Sequence, residues 1–194
     1  MRGRALAAAA LTLIAEPALA HPPPLGIPGF FGGVLHPLFV PAHAMALVGV
    51  GLLIGMQRHW GRAPTLCFVA ALVAGLGTMT FGVVPRWMGE VVLTGAALAG
   101  ALVALARPLP EILGIALALT IGVAIALDSP PEVISLGEAN LMLLGTGLGA
   151  TALLAAVTGV AAQVARTRMH IGLRVLGSWI AAGAILSLAL MLVA

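Results

Sequence analysis

Charge is nearly absent from six long stretches of this chain, and that absence limits the fold more than any motif does. Lys and Arg number nine and Asp and Glu six in 194 residues, 8% of the chain, where a soluble domain carries about 25%. Between the charges and the Pro/Gly punctuation lie mainly apolar segments at 36–56, 65–84, 89–106, 111–127, 139–163 and 171–194. A helix of about 20 apolar residues crosses the hydrocarbon core and satisfies its own backbone polar groups there. The expected fold is therefore all-α, a polytopic membrane bundle of six transmembrane helices.

Composition removes most other classes. The hydrophobic share is 61% and the mean hydropathy +1.17, which excludes a disordered chain. Cys67 is the one cysteine, so a disulfide framework, a cysteine zinc site and an iron–sulfur cluster are excluded. The sequence pI near 11.1 reflects nine Arg with no Lys, while the net charge is only +3. No basic patch is interleaved with aromatics, so nucleic acid is not an expected partner. No Ser/His/Asp or Cys/His set, no H-E-x-x-H and no phosphate-binding loop occurs, and no histidines are placed as a haem pair. The chain therefore reads as a non-enzyme without a certain cofactor.

The first twenty residues have the layout of a cleavable signal peptide. Arg2 and Arg4 precede a ten-residue apolar core, Ala5 to Ile14, and Glu16, Pro17 and the A-x-A sequence Ala18-Leu19-Ala20 follow. The core is too short to span a bilayer. Cleavage after Ala20 would start the mature chain at His21, outside the membrane, and leave 21–194 as a single six-helix domain. An amine and an imidazole on one residue form a bidentate donor set for a borderline metal; a polar residue suited to the peptidase is the plainer reading.

Loop charge gives the same orientation independently. With the N-terminus outside, the inner loops hold Arg58, Arg62, Arg107, Arg166, Arg168 and Arg174, and the outer loops only Arg86. That is a positive-inside distribution, expected of a multi-pass protein of a bacterial inner membrane. Gly51 and Gly55, and Gly145 and Gly149 with Gly147 between them, form small-residue ridges that serve helix contacts within the bundle or between copies.

Ionisable groups near hydrocarbon are costly and mark candidate sites. His21, His36, His43, Glu90, Asp128, Glu132 and Glu138 all fall towards the outer face, with Glu111 alone among the carboxylates at an inner end. Imidazole plus carboxylate suits nickel, cobalt or zinc. His36 and His43 are seven apart, which returns to nearly the same helical face, although Pro37 and Pro41 interrupt that end of the helix. Each group also has a structural reading. His36 and His43 can satisfy backbone or neighbouring helices, Glu90 can pair with Arg86 one turn earlier, Asp128 beside Ser129-Pro130-Pro131 can form a turn, and Glu138 can stabilise a helix N-terminus. His59 and His170, among arginines, read as interfacial anchors. The remaining polar groups in the spans are scattered hydroxyls, a thin route for a hydrated dication.

The stretch Gly29-Phe30-Phe31-Gly32-Gly33-Val34-Leu35-His36-Pro37-Leu38, continued by His43-Ala44-Met45-Ala46 and Val48-Gly49, resembles the first span of the HupE/UreJ proteins. Pro85 through Glu90 with Thr94-Gly95 is similar to that family's third span, and Leu173-Arg174-Val175-Leu176-Gly177 with Ala181-Ala182-Gly183 to its last helix. The resemblance implies a small six-helix membrane protein with a cleaved signal, associated with nickel or cobalt uptake. It implies metal ligands at His36, His43, Glu90 and Glu132, with His21 and Met45 as auxiliaries. The chain departs from the family pattern at Ala42, where the family has Asp. It departs again at Ile125, Leu127 and Ser129, where the fourth span of the family carries three His; Glu132 is retained. Two functions follow from this divergent pattern. One is facilitated uptake of a divalent metal, nickel or cobalt as substrate, from the periplasmic side. The other is a non-transporting structural or assembly subunit of a larger membrane protein complex, whose partners are the bilayer and other subunits.

Overall fold

The computed structural model describes residues 27, 29–79, 85–131, 135–167 and 169–193. The signal-peptide reading of 1–20, and with it His21 and Glu132, lies outside them. Among the described residues there are seven helices and no strand. They are α1 (Gly29–Phe39), α2 (Pro41–Met56), α3 (Ala63–Thr78), α4 (Met88–Leu105), α5 (Glu111–Leu127), α6 (Leu136–Val164) and α7 (His170–Val193). Three of them, α4, α6 and α7, are long and apolar enough to cross a membrane. The pair α1 and α2 passes the same test together but bends by 70°, and α3 and α5 are shorter apolar helices.

The first apolar segment thus begins earlier than its charge pattern suggests, and it is broken. Pro41 has no N–H to donate and disfavours helical geometry in the residue before it. Val40 accordingly takes an extended conformation, φ −87° and ψ 107°, and caps α2 with Pro41 as its first residue. The other boundaries have equally local causes. Ser135 Oγ accepts from the Glu138 N–H and donates to Glu138 Oε2, a side-chain N-cap that starts α6. The prolines after Asp128 and Ser129 prevent α5 from continuing.

The chain packs around α2, which touches α1, α4, α5, α6 and α7. Ala46, Leu47, Val50 and Leu53 are buried on it. Within lipid, helices are held by close van der Waals packing rather than by exclusion of water, and the main contacts here are built on glycine. A Cβ at Gly100 of α4 would stand 2.6 Å from the Gly177 carbonyl oxygen of α7, and one at Gly177 2.8 Å from that of Gly100. Gly75 and Gly122 join α3 to α5 in the same way, and Gly33, Gly145 and Gly149 seat α1 on α6. Both ridges seen in the sequence therefore lie inside the bundle, Gly51 and Gly55 of α2 resting on Val157, Thr158 and Ala161 of α6. The outer faces carry exposed Leu113, Leu119, Val160, Trp179, Leu186 and Leu190, as a lipid-embedded protein requires.

The two ends of the bundle differ chemically. His43 and Asp128 meet at one end. From His43 to Gln57, α2 rises about 21 Å to the other end, where the α2–α3 and α4–α5 loops are tied together. Gln57 Nε2 donates to the Arg107 carbonyl at 2.8 Å, and its Oε1 accepts from the Leu109 N–H at 3.3 Å. The Leu109 carbonyl accepts from Trp60 Nε1 at 2.8 Å and from His59 Nε2 at 2.9 Å, which fixes His59 as the Nε2–H tautomer. Glu111 Oε1 takes the Gly61 N–H at 2.8 Å, so the one carboxylate at the arginine-rich end is tied to a backbone donor. The indole of Trp60 lies where a side chain at Gly114 would have to go. Ala106, which closes α4, has φ 51°, a left-handed conformation that costs an L-residue about 1–2 kcal/mol. Replacing Ala106 by Gly is expected to stabilise the protein by up to about 1 kcal/mol; an unchanged or lower thermal unfolding midpoint in detergent would contradict this.

Candidate metal site

Two of the sequence candidates come together through the break in the first apolar segment. His36 lies in the last turn of α1 and His43 in the first turn of α2, and both are buried. In a straight helix, residues seven apart are about 10.5 Å apart along the axis. The 70° bend at Val40 brings them together, leaving the ring centroids 5.4 Å apart with 63° between the planes. Shared helical face is therefore not what pairs them; the Pro41 break is.

The third member comes from α5. His43 Nε2 lies 2.9 Å from Asp128 Oδ2, with His43 fully buried and the Asp128 side chain 17% exposed. Against an ionised carboxylate the imidazole donates from Nε2, and that tautomer carries its lone pair on Nδ1. A carboxylate placed this way fixes the orientation and tautomer of the ring. Asp128 is the C-cap of α5, with its own N–H bonded to the Ala124 carbonyl. Its Oδ1 would be 3.6 Å from a Cβ at Gly89, in the first turn of α4, where the helix dipole favours negative charge. The turn beside Ser129-Pro130-Pro131 is real, since Ser129 Oγ donates to the Ile125 carbonyl at 2.7 Å. The same turn delivers the carboxylate to a histidine 85 residues away in sequence.

The other candidates are placed elsewhere or lie outside the described residues. Glu90 faces a groove between α4 and α5 lined by Trp87, Thr94, Leu98 and Thr120. Its Oε2 is buried without a hydrogen-bond partner, and no ion pair joins it to Arg86 among the described residues. The Met45 sulfur lies 3.4 Å from the position of a Cβ at Gly183 on α7. Among the described residues no three His, Cys, Asp or Glu side chains are grouped to hold a metal ion. Ile125, at a position where the family pattern has His, is buried in the hydrophobic core. Several hydroxyls within the spans are engaged by their own helices: Thr78 with Gly75, Thr120 with Ala116, Thr146 with Met142 and Ser178 with Val175.

A sequence model of the family described as HupE / UreJ protein matches residues 9–187, most of the chain. No curated protein and no solved structure matches it.

Proposed function

The chain belongs to the HupE/UreJ family, and from that premise we propose that it takes up a divalent metal, nickel or cobalt, from the periplasmic side of a bacterial inner membrane. The observation that carries this reading is the buried pair His36 and His43 with Asp128 bonded to the second ring. Neutral imidazole held by a carboxylate is a donor suited to borderline metals. In this reading His36 and His43 bind through their imidazole rings. Glu90 and Glu132 are the further ligands, with His21 and Met45 as auxiliaries. The bundle spans the membrane six times behind a cleaved signal, with α1 and α2 as one broken span. α3 and α5, about 24 Å and 26 Å long, span by local thinning of the bilayer.

A second reading, a structural or assembly subunit of a larger membrane complex, is favoured by the absence of a three-donor group among the described residues. Accumulation of nickel and cobalt separates the two. Cells lacking their own uptake systems would carry empty vector, this protein, or the His36→Ala/His43→Ala double variant at matched membrane abundance. Uptake is expected to rise with the protein and return to the vector level in the variant. A well-inserted protein with no uptake above vector would reject the transporter reading in favour of the subunit.

A further inference from the structure

We infer that the arginine-rich end of the bundle holds a binding site for a phosphate oxyanion, supplied by the headgroup of an anionic lipid or by free phosphate. A cavity of about 340 Å³ opens there between the α2–α3 loop and the end of α6, and Arg58, Arg62 and Arg166 all line it. Their side chains make no hydrogen bond or ion pair with any described residue, and the ion pair found among the described residues, His43 with Asp128, lies at the opposite end. Three guanidinium groups around one cavity repel each other unless an anion joins them, and guanidinium matches phosphate oxygens in a two-pronged geometry.

A second, independent observation points to the same ligand. Thr158 of α6 lines this cavity, and its Oγ1 is buried with no hydrogen-bond partner. Most hydroxyls in membrane helices donate to their own backbone, as Thr78, Thr120 and Thr146 do here. A turn of the Thr158 side chain about χ1 would bring the hydroxyl to an acceptor oxygen in the cavity, which an apolar occupant would not offer. One further feature suits an anion. The 16-residue α3 starts at the rim with Arg62 as its N-cap and Thr65 in its first turn, so its first N–H groups and dipole favour negative charge. Glu111, bonded to the Gly61 N–H at the rim, opposes an anion with one negative charge against the three arginines. The walls are closely packed, with Gly55 of α2 resting directly on the Thr158 carbonyl and Ala161 and Trp60 bonded to the Leu109 carbonyl. The ring of arginines also lies at the end that the loop charges assign to the cytoplasm, where basic pockets between membrane helices receive anionic headgroups.

The test uses the full chain in a neutral detergent, titrated with dioctanoyl phosphatidylglycerol, dioctanoyl phosphatidylcholine or inorganic phosphate. Retention is read by native mass spectrometry and stabilisation by thermal aggregation. Phosphatidylglycerol is expected to be retained in preference to phosphatidylcholine. Each of Arg58→Gln, Arg62→Gln and Arg166→Gln should weaken it by about fivefold. Thr158→Val keeps the volume and the fold, removes the hydroxyl, and should weaken binding by about two- to tenfold. Saturation by inorganic phosphate with the same dependence on these residues would support the site and make its ligand soluble. Equal retention of both lipids, or wild-type affinity in the arginine variants and in Thr158→Val, would overturn it.

Discussion

Replacing Asp128 by Ala is expected to lower apparent metal affinity in uptake by about 10–100-fold while the protein still inserts. His43 is fully buried, and its Nε2 lies 2.9 Å from the Asp128 carboxylate. Removing that carboxylate strips the ring of the acceptor that sets its tautomer and orientation. A buried donor left without its partner also costs about 1–3 kcal/mol of stability, so the variant should unfold earlier on heating. Asp128→Asn separates the two effects, because an amide oxygen can still accept from Nε2 but brings no charge. It should recover most of the lost stability and only part of the affinity. Concentration-dependent nickel uptake and thermal aggregation, measured on wild type and both variants, decide the matter. Wild-type affinity in Asp128→Ala would show that the carboxylate does not position His43 for a metal.

A large loss of stability is expected from one methyl group at Gly145. A Cβ there would overlap the Phe30 carbonyl oxygen and stand 2.8 Å from the Val34 amide nitrogen. Both are backbone atoms of α1, so no flexible side chain can yield. Overpacking typically costs about 1–3 kcal/mol, and a backbone obstacle places Gly145→Ala at or above the upper end. Gly159 lies on the same helix with nothing within 4 Å of its would-be Cβ. There Ala should raise stability by up to about 1 kcal/mol through helix propensity alone. The same substitution, on one helix, is thus expected to have opposite signs at the two positions. Thermal aggregation of the two variants in detergent tests this, and equal behaviour would show that α1 is not seated on α6 as described. Because α1 carries His36, loss of its seat should abolish uptake as well.

The sequence locates α4, α5, α6 and α7 to within three residues, because charge and proline mark their ends and no tertiary contact is needed to see them. The first apolar segment is harder. Its start is set by Gly29, with φ 66°, and its break by Pro41, both local signals that the long apolar run conceals. The spacing of His36 and His43 does identify a pair, but through a helix geometry that the chain does not adopt there. Asp128 shows the other limit. Its neighbours Ser129, Pro130 and Pro131 explain it fully as a turn residue, and nothing within the segment signals a histidine 85 positions earlier. The ridges at Gly51/Gly55 and Gly145/Gly149 are legible as faces, whereas their partners, Val157 and Ala161 for one and Phe30 and Val34 for the other, are set only when the helices pack. Arg58, Arg62 and Arg166 are visible in the sequence as a topological signal, and their convergence on one cavity with Thr158 emerges only from the fold.

The hydrogen bonds between the α2–α3 and α4–α5 loops have a mechanical consequence. Five side-chain bonds join these loops, each worth about 0.5–1.5 kcal/mol net, while at the far end the described helices are tied by His43 and Asp128. The bundle is therefore a lever riveted at one end. Rocking motion pivots on the rivet and grows with distance from it. With an arm of about 21 Å, a tilt of about 5° moves the His43 end by roughly 2 Å, enough to part the bond between His43 and Asp128.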